Sequence, residues 1–156
     1  MIPYEMRPYR PCVGIMLLNT KNQVFVGQRL DRSVEAWQMP QGGIDEGEDP
    51  VHAGFREMME EIGTNSAKLI EEHREWLNYD IPKDLADQLW QGRFRGQAQK
   101  WLAFRFNGTD DEINIDTDEP EFRSWKWADT AELPELAVPF KRDVYQNILA
   151  EFQHLL

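Results

Sequence analysis

The sequence predicts an α/β fold in which a mixed β-sheet lies sandwiched between helices. Two patterns predict it. Strand-like segments are interleaved with helical ones along the chain, and the two clearest helices are amphipathic, so each has a face to bury. The chain has 156 residues, 41% hydrophobic and 29% charged, which suits a single domain over residues 1–156 with a proper core.

Taken in order, residues 13–18 are apolar almost throughout and read as a buried strand. Lys21 and Asn22 mark a turn, and residues 24–26 continue as a second strand, which makes a hairpin. A short strand is expected at residues 37–39 and a Gly-rich loop at 41–47. A helix follows. Asp49 is a good N-cap, Pro50 suits the first helical position, and Gly63 suits the C-terminal stop. Residues 69–76 read as a strand, 83–90 as a short helix or ordered loop, and 99–106, alternating and aromatic, as a strand. Residues 124–127 give another short strand, and Asp129 could cap a short helical turn. From Pro139 onward, Val144, Ile148, Phe152 and Leu155 recur at helical spacing.

Charge and composition narrow the function. The net charge of −11 argues against binding duplex DNA through bulk electrostatics. It leaves room for an enzyme that grips only the end of a strand, because metal ions bring positive charge into a site. Acid is concentrated at residues 110–121, whereas Arg93, Arg95, Lys100 and Arg105 form a more basic stretch. No run approaches the roughly 20 apolar residues of a membrane span. Residues 1–11 are polar, hold Pro3, Pro8 and Pro11, and lack the apolar core of a signal peptide. With Cys12 as the only cysteine there is no internal disulfide, which fits a cytoplasmic location. His52, His73 and His154 are scattered and suggest no zinc site. Neither a G-x-S-x-G elbow nor a Walker loop is present.

The chemistry is concentrated in residues 42–64, which read GGIDEGEDPVHAGFREMMEEIGT. On a helical wheel Val51, Phe55, Met58 and Ile62 form one stripe, expected to face the core. Glu57, Glu60 and Glu61 fall on a separate arc on the far side. Ala53 and Gly54 lie beside that arc one turn earlier, small enough to leave room for a ligand. Carboxylates crowded into one turn repel, and a hard divalent cation with oxygen ligands reverses the sign of that effect. Arg56 is the basic residue of the turn, and Glu48, just before the helix, is its natural partner. Such acidic runs are ordinarily solvated faces, but here the spacing is more specific: Gly42, five residues, Glu48, seven residues, Arg56-Glu57, two residues, Glu60-Glu61, one residue, Gly63.

This pattern resembles the Nudix box at every polar and glycine position, and departs from it only at Thr64, where the family has a bulky aliphatic residue. The resemblance implies the Nudix fold and a site that holds Mg²⁺, Mn²⁺ or another divalent metal against a pyrophosphate. In it Glu48, Arg56, Glu57, Glu60 and Glu61 are catalytic, and Glu57, Glu60 and Glu61 are ligands or the base that activates water. Beyond the box, the chain resembles bacterial RNA pyrophosphohydrolases and related dinucleoside polyphosphate hydrolases. The matching stretches are YRPCVG at 9–14, WQMPQGG at 37–43, residues 76–79 with Ile81-Pro82, GQ at 96–97, QKW at 99–101, PEF at 120–122 and FKRDVY at 140–145. The implied substrate is a 5′-triphosphorylated RNA end or a diadenosine tetraphosphate-like nucleotide. The resemblance also makes Glu121 a metal ligand or base, although by spacing alone it reads as a solvated acid.

Substrate contacts are expected from Arg10, Arg29, Gly42, Gly43, Tyr79, Phe140 and Lys141. The three cations suit phosphate, with a solvated or ion-paired role equally open for each. Phe140 could stack on a base or staple into the core. Tyr79 could meet phosphate or base, or anchor a loop. Trp101, Trp125 and Trp127 are expected in the core.

Overall fold

The structure, a computed structural model, describes residues 1–31 and 35–156. Tyr9–Leu18 (β1) and Gln23–Arg29 (β2) form the expected hairpin, with Asn22 left-handed at its turn (φ 59°). The two strands register only at Leu18↔Val24. Residues 38–43 enter between them farther along. Gln38 bridges Gly27, the Ile15 N–H donates to the Pro40 carbonyl, and Gln41–Gly43 (β3) pairs antiparallel with β1 from Cys12↔Gly43 to Gly14↔Gln41. The backbone groups that the open hairpin leaves bare are thus paired. Two expectations change: the strand at 37–39 is a single bridge at Gln38, and the Gly-rich loop begins as a strand.

Ala67–Asp80 (β4), Gly96–Phe106 (β5) and Phe122–Asp129 (β6) complete a six-stranded sheet of order β4-β5-β1-β2-β6, with β3 on β1. β1 and β5 run parallel and every other pairing is antiparallel, so the sheet is mixed. Because β4 continues to Asp80, Tyr79 is a strand residue rather than a loop anchor.

The principal helices are Pro50–Ile62 (α1), Lys83–Gln88 (α2), Leu133–Leu136 (α3) and Arg142–Glu151 (α4). Strand periodicity explains the unbroken apolar run in β1. Val13, Ile15 and Leu17 pack in one core with Met58 and Ile62 of α1. Met16 and Leu18 pack in the other with Tyr145 and Ile148 of α4. The two helices therefore cover opposite faces of the sheet, which is the expected sandwich. Trp101 is fully buried, while Trp125 and Trp127 are half-buried against the α1-side core. Leu155 lies past α4 in a 3-10 turn.

Helix α1 has the expected ends. The Asp49 carboxylate accepts from the His52 N–H at 3.4 Å, and Gly63 closes the helix at φ 76°, a conformation that favours glycine. Its buried face is wider than the wheel suggests. Met58 and Ile62 are fully buried, but so is Ala53, and Gly54, Glu57 and Glu61 are buried as well. A methyl group on Gly54 would stand 2.8 Å from Leu102 of β5. The small residues thus let the helix settle on the sheet and leave no ligand space. Thr64 is buried too, and its hydroxyl accepts from the Ser66 N–H, so a polar side chain is satisfied where an aliphatic one was expected.

Candidate active site

Strand β3 and helix α1 meet where the Gly-rich segment turns into the box helix. A Cβ on Gly42 would fall 1.9 Å from the Glu57 carboxyl carbon, so the absence of a side chain lets Glu57 lie against the strand. Arg56 ties the two elements together. Its Nε and Nη2 donate to the two Glu48 oxygens, each at 2.8 Å, and Nη2 also donates to the Gly43 carbonyl at 2.9 Å. Its Nη1 donates to Glu57 at 2.9 Å and to both Glu60 oxygens at 3.3 Å. The expected Glu48–Arg56 pair is therefore a two-bond fork. The guanidinium, followed by the Asp45 N–H and His52, holds the Glu48 carboxyl well below the usual range. The Glu48 contact also raises the Arg56 pKa.

Neither Glu48 nor Arg56 lines the adjoining cavity of about 320 Å³; Arg56 contacts Gly43, Glu57 and Glu60, which do, and Glu48 acts only through Arg56. All the other candidates reach it: Arg10, Arg29, Gly42, Gly43, Glu57, Glu60, Glu61, Tyr79, Glu121, Phe140 and Lys141. Part of the cavity lining is acidic. Glu61 is 5% exposed, and its Oε2 has no hydrogen-bond partner. Burial, and then the charges of Glu57 and Glu121, push its pKa well up, against the pull of Arg29 and the Gln41 N–H. Glu57 is 9% exposed, and burial pushes it up to about 7 against the pull of Arg56. Glu60 is exposed. Arg29 is already engaged: it forks onto Asp31 at 2.7 and 2.6 Å and faces Glu121 at 3.6 Å.

The rest of the lining includes aromatic and basic side chains. Lys141 is buried, with Nζ 3.3 Å from the side-chain oxygens of Gln38 and Gln41 and 5.9 Å from the Tyr79 ring centre. Tyr79 stacks on half-buried Phe140 (6.1 Å, 26°), which makes Phe140 a cavity wall. Gln97 donates to the Tyr79 hydroxyl at 2.6 Å and accepts from Arg10 at 3.0 Å. Gln38, Gln41, Gln97, Trp90 and Glu119 also line the space, and sequence reasoning did not single them out. A signal for Gln97 was present. It shares a strand face with Gln99, Trp101 and Ala103, and a polar residue on a buried face needs partners.

Among the described residues no three carboxylates, imidazoles or thiolates converge as a ligand cluster with the side chains as they stand. Glu57 and Glu60 lean on Arg56, and Glu121 faces Arg29. The donor set still fits a hard divalent cation. All its donors are oxygens, one buried carboxylate oxygen is orphaned, and two neighbouring carboxyls are driven toward protonation by burial.

A pH effect follows for the metal-free protein. The folded-state pKa of Glu57 lies above its ordinary 4.5, so its stabilising effect is complete below 4.5 and is lost as pH rises through about 7. A shift of that size is worth on the order of 3 kcal/mol. Relative to Glu57→Gln, the wild type should lose melting temperature across that window. Millimolar Mg²⁺ should restore more of the loss at high pH than at low. A wild-type profile parallel to that of Glu57→Gln would show that Glu57 ionises in the fold at no cost.

The family model described as "NUDIX domain" matches residues 8–148. Among curated relatives, the "RNA pyrophosphohydrolase" of Roseobacter denitrificans is 54% identical, covering 98% of both chains. That of Rhodospirillum rubrum is 60% identical over 92% of this chain and 87% of its own. Among solved structures, the E. coli dihydroneopterin triphosphate pyrophosphohydrolase superposes with a TM-score of 0.71 at 19% identity, covering 92% of this chain and 99% of that one. A C. elegans Ap4A hydrolase binary complex gives 0.65 at 19% identity, covering 90% and 96%. At such identities these two structures speak to the fold alone.

Proposed function

The chain belongs to the NUDIX family, and from that premise we propose that it removes pyrophosphate from the 5′-triphosphorylated end of RNA, with Mg²⁺ as its cation. The reaction class is hydrolysis of a pyrophosphate bond in a nucleotide polyphosphate. One observation carries the reading of the site: a single cavity is lined both by carboxylates, Glu57, Glu61 and Glu121, and by an aromatic ring and cations, Phe140, Arg10 and Lys141. A polyphosphate attached to a base has the same two-part chemistry. The relatives named above favour RNA as what bears it.

Glu57, Glu60, Glu61 and Glu121 supply the oxygens that would hold a divalent cation. When bound, such an ion supplies Lewis-acid stabilisation of the phosphoryl oxygens and makes water a better nucleophile. The chain's own residues do the rest. Lys141 and Arg10 meet phosphate oxygens, and Phe140 offers its ring to the base. Water adds to phosphorus, the anhydride bond breaks, and a carboxylate of the acidic cluster takes the proton that the water gives up. Glu48 and Arg56 position these carboxylates. With a net charge of −11 the protein lacks the overall charge to hold a long strand, so recognition is confined to the end that enters the cavity. Among the described residues no helix is long and apolar enough to cross a membrane. With the lone buried Cys12, this accords with a cytoplasmic site of action.

The test is to incubate the protein with Mg²⁺ and, separately, 5′-triphosphorylated RNA and diadenosine tetraphosphate. Faster pyrophosphate release from RNA supports the proposal. Faster conversion of the dinucleotide to ATP and AMP would replace it with a nucleotide-clearing role. Lys141→Ala is expected to raise KM roughly tenfold, the loss of one charge-assisted contact, with a smaller change in kcat. Lys68→Ala, at an exposed position of β4, serves as the control. Equal KM values for the two variants would remove Lys141 from the substrate site.

A further inference from the structure

Between α2 and β5 the chain makes a short turn, Leu89–Gly92, whose backbone is unusual. Trp90 (φ 47°, ψ 38°), Gln91 (φ 60°, ψ 27°) and Gly92 (φ 69°) are all left-handed. A bulky residue in that region costs of order 1–2 kcal/mol. The conformation has a definite result. It sets the Trp90 indole in the cavity wall, with the Arg10 guanidinium 4.8 Å from the ring centre. The turn is secured from behind: Arg93 donates through Nε to the Trp90 carbonyl at 3.1 Å, and Phe94 packs edge-on against the indole at 5.9 Å.

Arg10 is confined on its other sides as well. Gln97 accepts from it at 3.0 Å, and a Cβ on Gly43 would lie 2.3 Å from its Nη2. These constraints differ from those on the other arginines of the site. Arg56 is ringed by carboxylates, and Arg29 is forked onto Asp31. Among the described residues Arg10 has no carboxylate within ion-pair distance. A neutral amide and the face of an indole hold it instead. A π face attracts a guanidinium without cancelling its charge. Arg10 is therefore fixed in place with its charge still available to an anion.

We infer that Trp90 is a positioning residue: its ring and its left-handed turn hold Arg10 oriented and un-neutralised for a phosphate group of the substrate. The inference rests on the proposed function for the identity of that anion, and on contacts in this structure for everything else. Holding Arg10 in place in the free protein lowers the ordering cost of binding.

The experiment is a double-mutant cycle of Trp90 and Arg10 in the full chain, with Trp90 changed to Ala, Leu and Phe. It reads KM and kcat on triphosphorylated RNA, the Kd for inorganic tripolyphosphate, and melting temperature. Trp90→Ala and Trp90→Leu are expected to raise KM and Kd about tenfold, with kcat within about threefold, and Trp90→Phe to recover most of the loss. In an Arg10→Ala background, none of the three changes should weaken binding further. Wild-type binding by Trp90→Leu would overturn the inference, because leucine fills the space without a π face. So would a loss that simply adds to that of Arg10→Ala, since Trp90 would then act directly or only through stability. If Trp90→Ala melts too low to assay, the Leu and Phe pair decides. If the wild type hydrolyses no polyphosphate but the tripolyphosphate cycle behaves as stated, the functional reading fails and the role of Trp90 stands.

Discussion

Glu61→Gln is expected to lower kcat by roughly a hundredfold to a thousandfold while making the metal-free protein more stable. Both effects have one source. Glu61 is 5% exposed, one of its oxygens has no partner, and the charges facing it include Glu57 and Glu121. Without a cation, an ionised carboxylate there bears its desolvation cost uncompensated. The amide has nearly the same shape and no charge, so it relieves that cost and should raise the melting temperature at pH 8. It is also a poor ligand for a hard cation, so turnover falls and Mg²⁺ no longer raises the melting point. Three measurements check this together: kcat, melting temperature without metal, and the shift on adding Mg²⁺. Near-normal turnover in both Glu61→Gln and Glu60→Gln would sink the assignment of a metal to this cluster. A lower melting temperature for Glu61→Gln would show that the buried charge is already compensated.

Arg56→Ala should have the largest effect on stability, about 3–5 kcal/mol, with activity lost alongside. Its guanidinium satisfies three carboxylates and the Gly43 carbonyl, and one of those carboxylates, Glu48, has a side chain only 9% exposed. Removing it leaves several negative groups facing one another and frees β3 from α1. Arg56→Lys should recover little, because a single ammonium does not reproduce a planar fork that reaches Glu48 with two nitrogens and Glu57 with a third. Denaturant unfolding of the three proteins measures this. A wild-type midpoint for Arg56→Ala would mean that solvent or a rearranged neighbour takes over the fork, and that Arg56 is not the tie between strand and helix.

Much of the site was readable because its signals are local. The cap at Asp49, the stop at Gly63 and the pairing of Glu48 with Arg56 each depend on a few residues of spacing within one element, and all are present. Where tertiary contacts decide, the sequence reading was less complete. The wheel put Glu57 and Glu61 opposite the core stripe, yet both are buried, because β3 lies against that side of the helix, with Gly42 against Glu57 and the Gln41 N–H on Glu61. Gly54 looked like ligand space and proved to be a contact with Leu102. Residues 83–90 read as a short helix or ordered loop, but α2 ends at Gln88 and Trp90 lies beyond it in a left-handed turn.

The sequence by itself determined the reaction class, through its resemblance to the Nudix box. That pattern survives in a bare sequence because Arg56, Glu57, Glu60 and Glu61 belong to one helix, whose fixed 3.6-residue turn sets their relative directions wherever the helix lies. Which of those glutamates is buried and which meets solvent was decided only by the tertiary structure. So was the meeting of Arg10, Glu121 and Lys141 with them in one cavity. The physical reason is that burial and long-range proximity depend on how β1 and β2 part to admit residues 38–43, and that opening is a property of the assembled sheet.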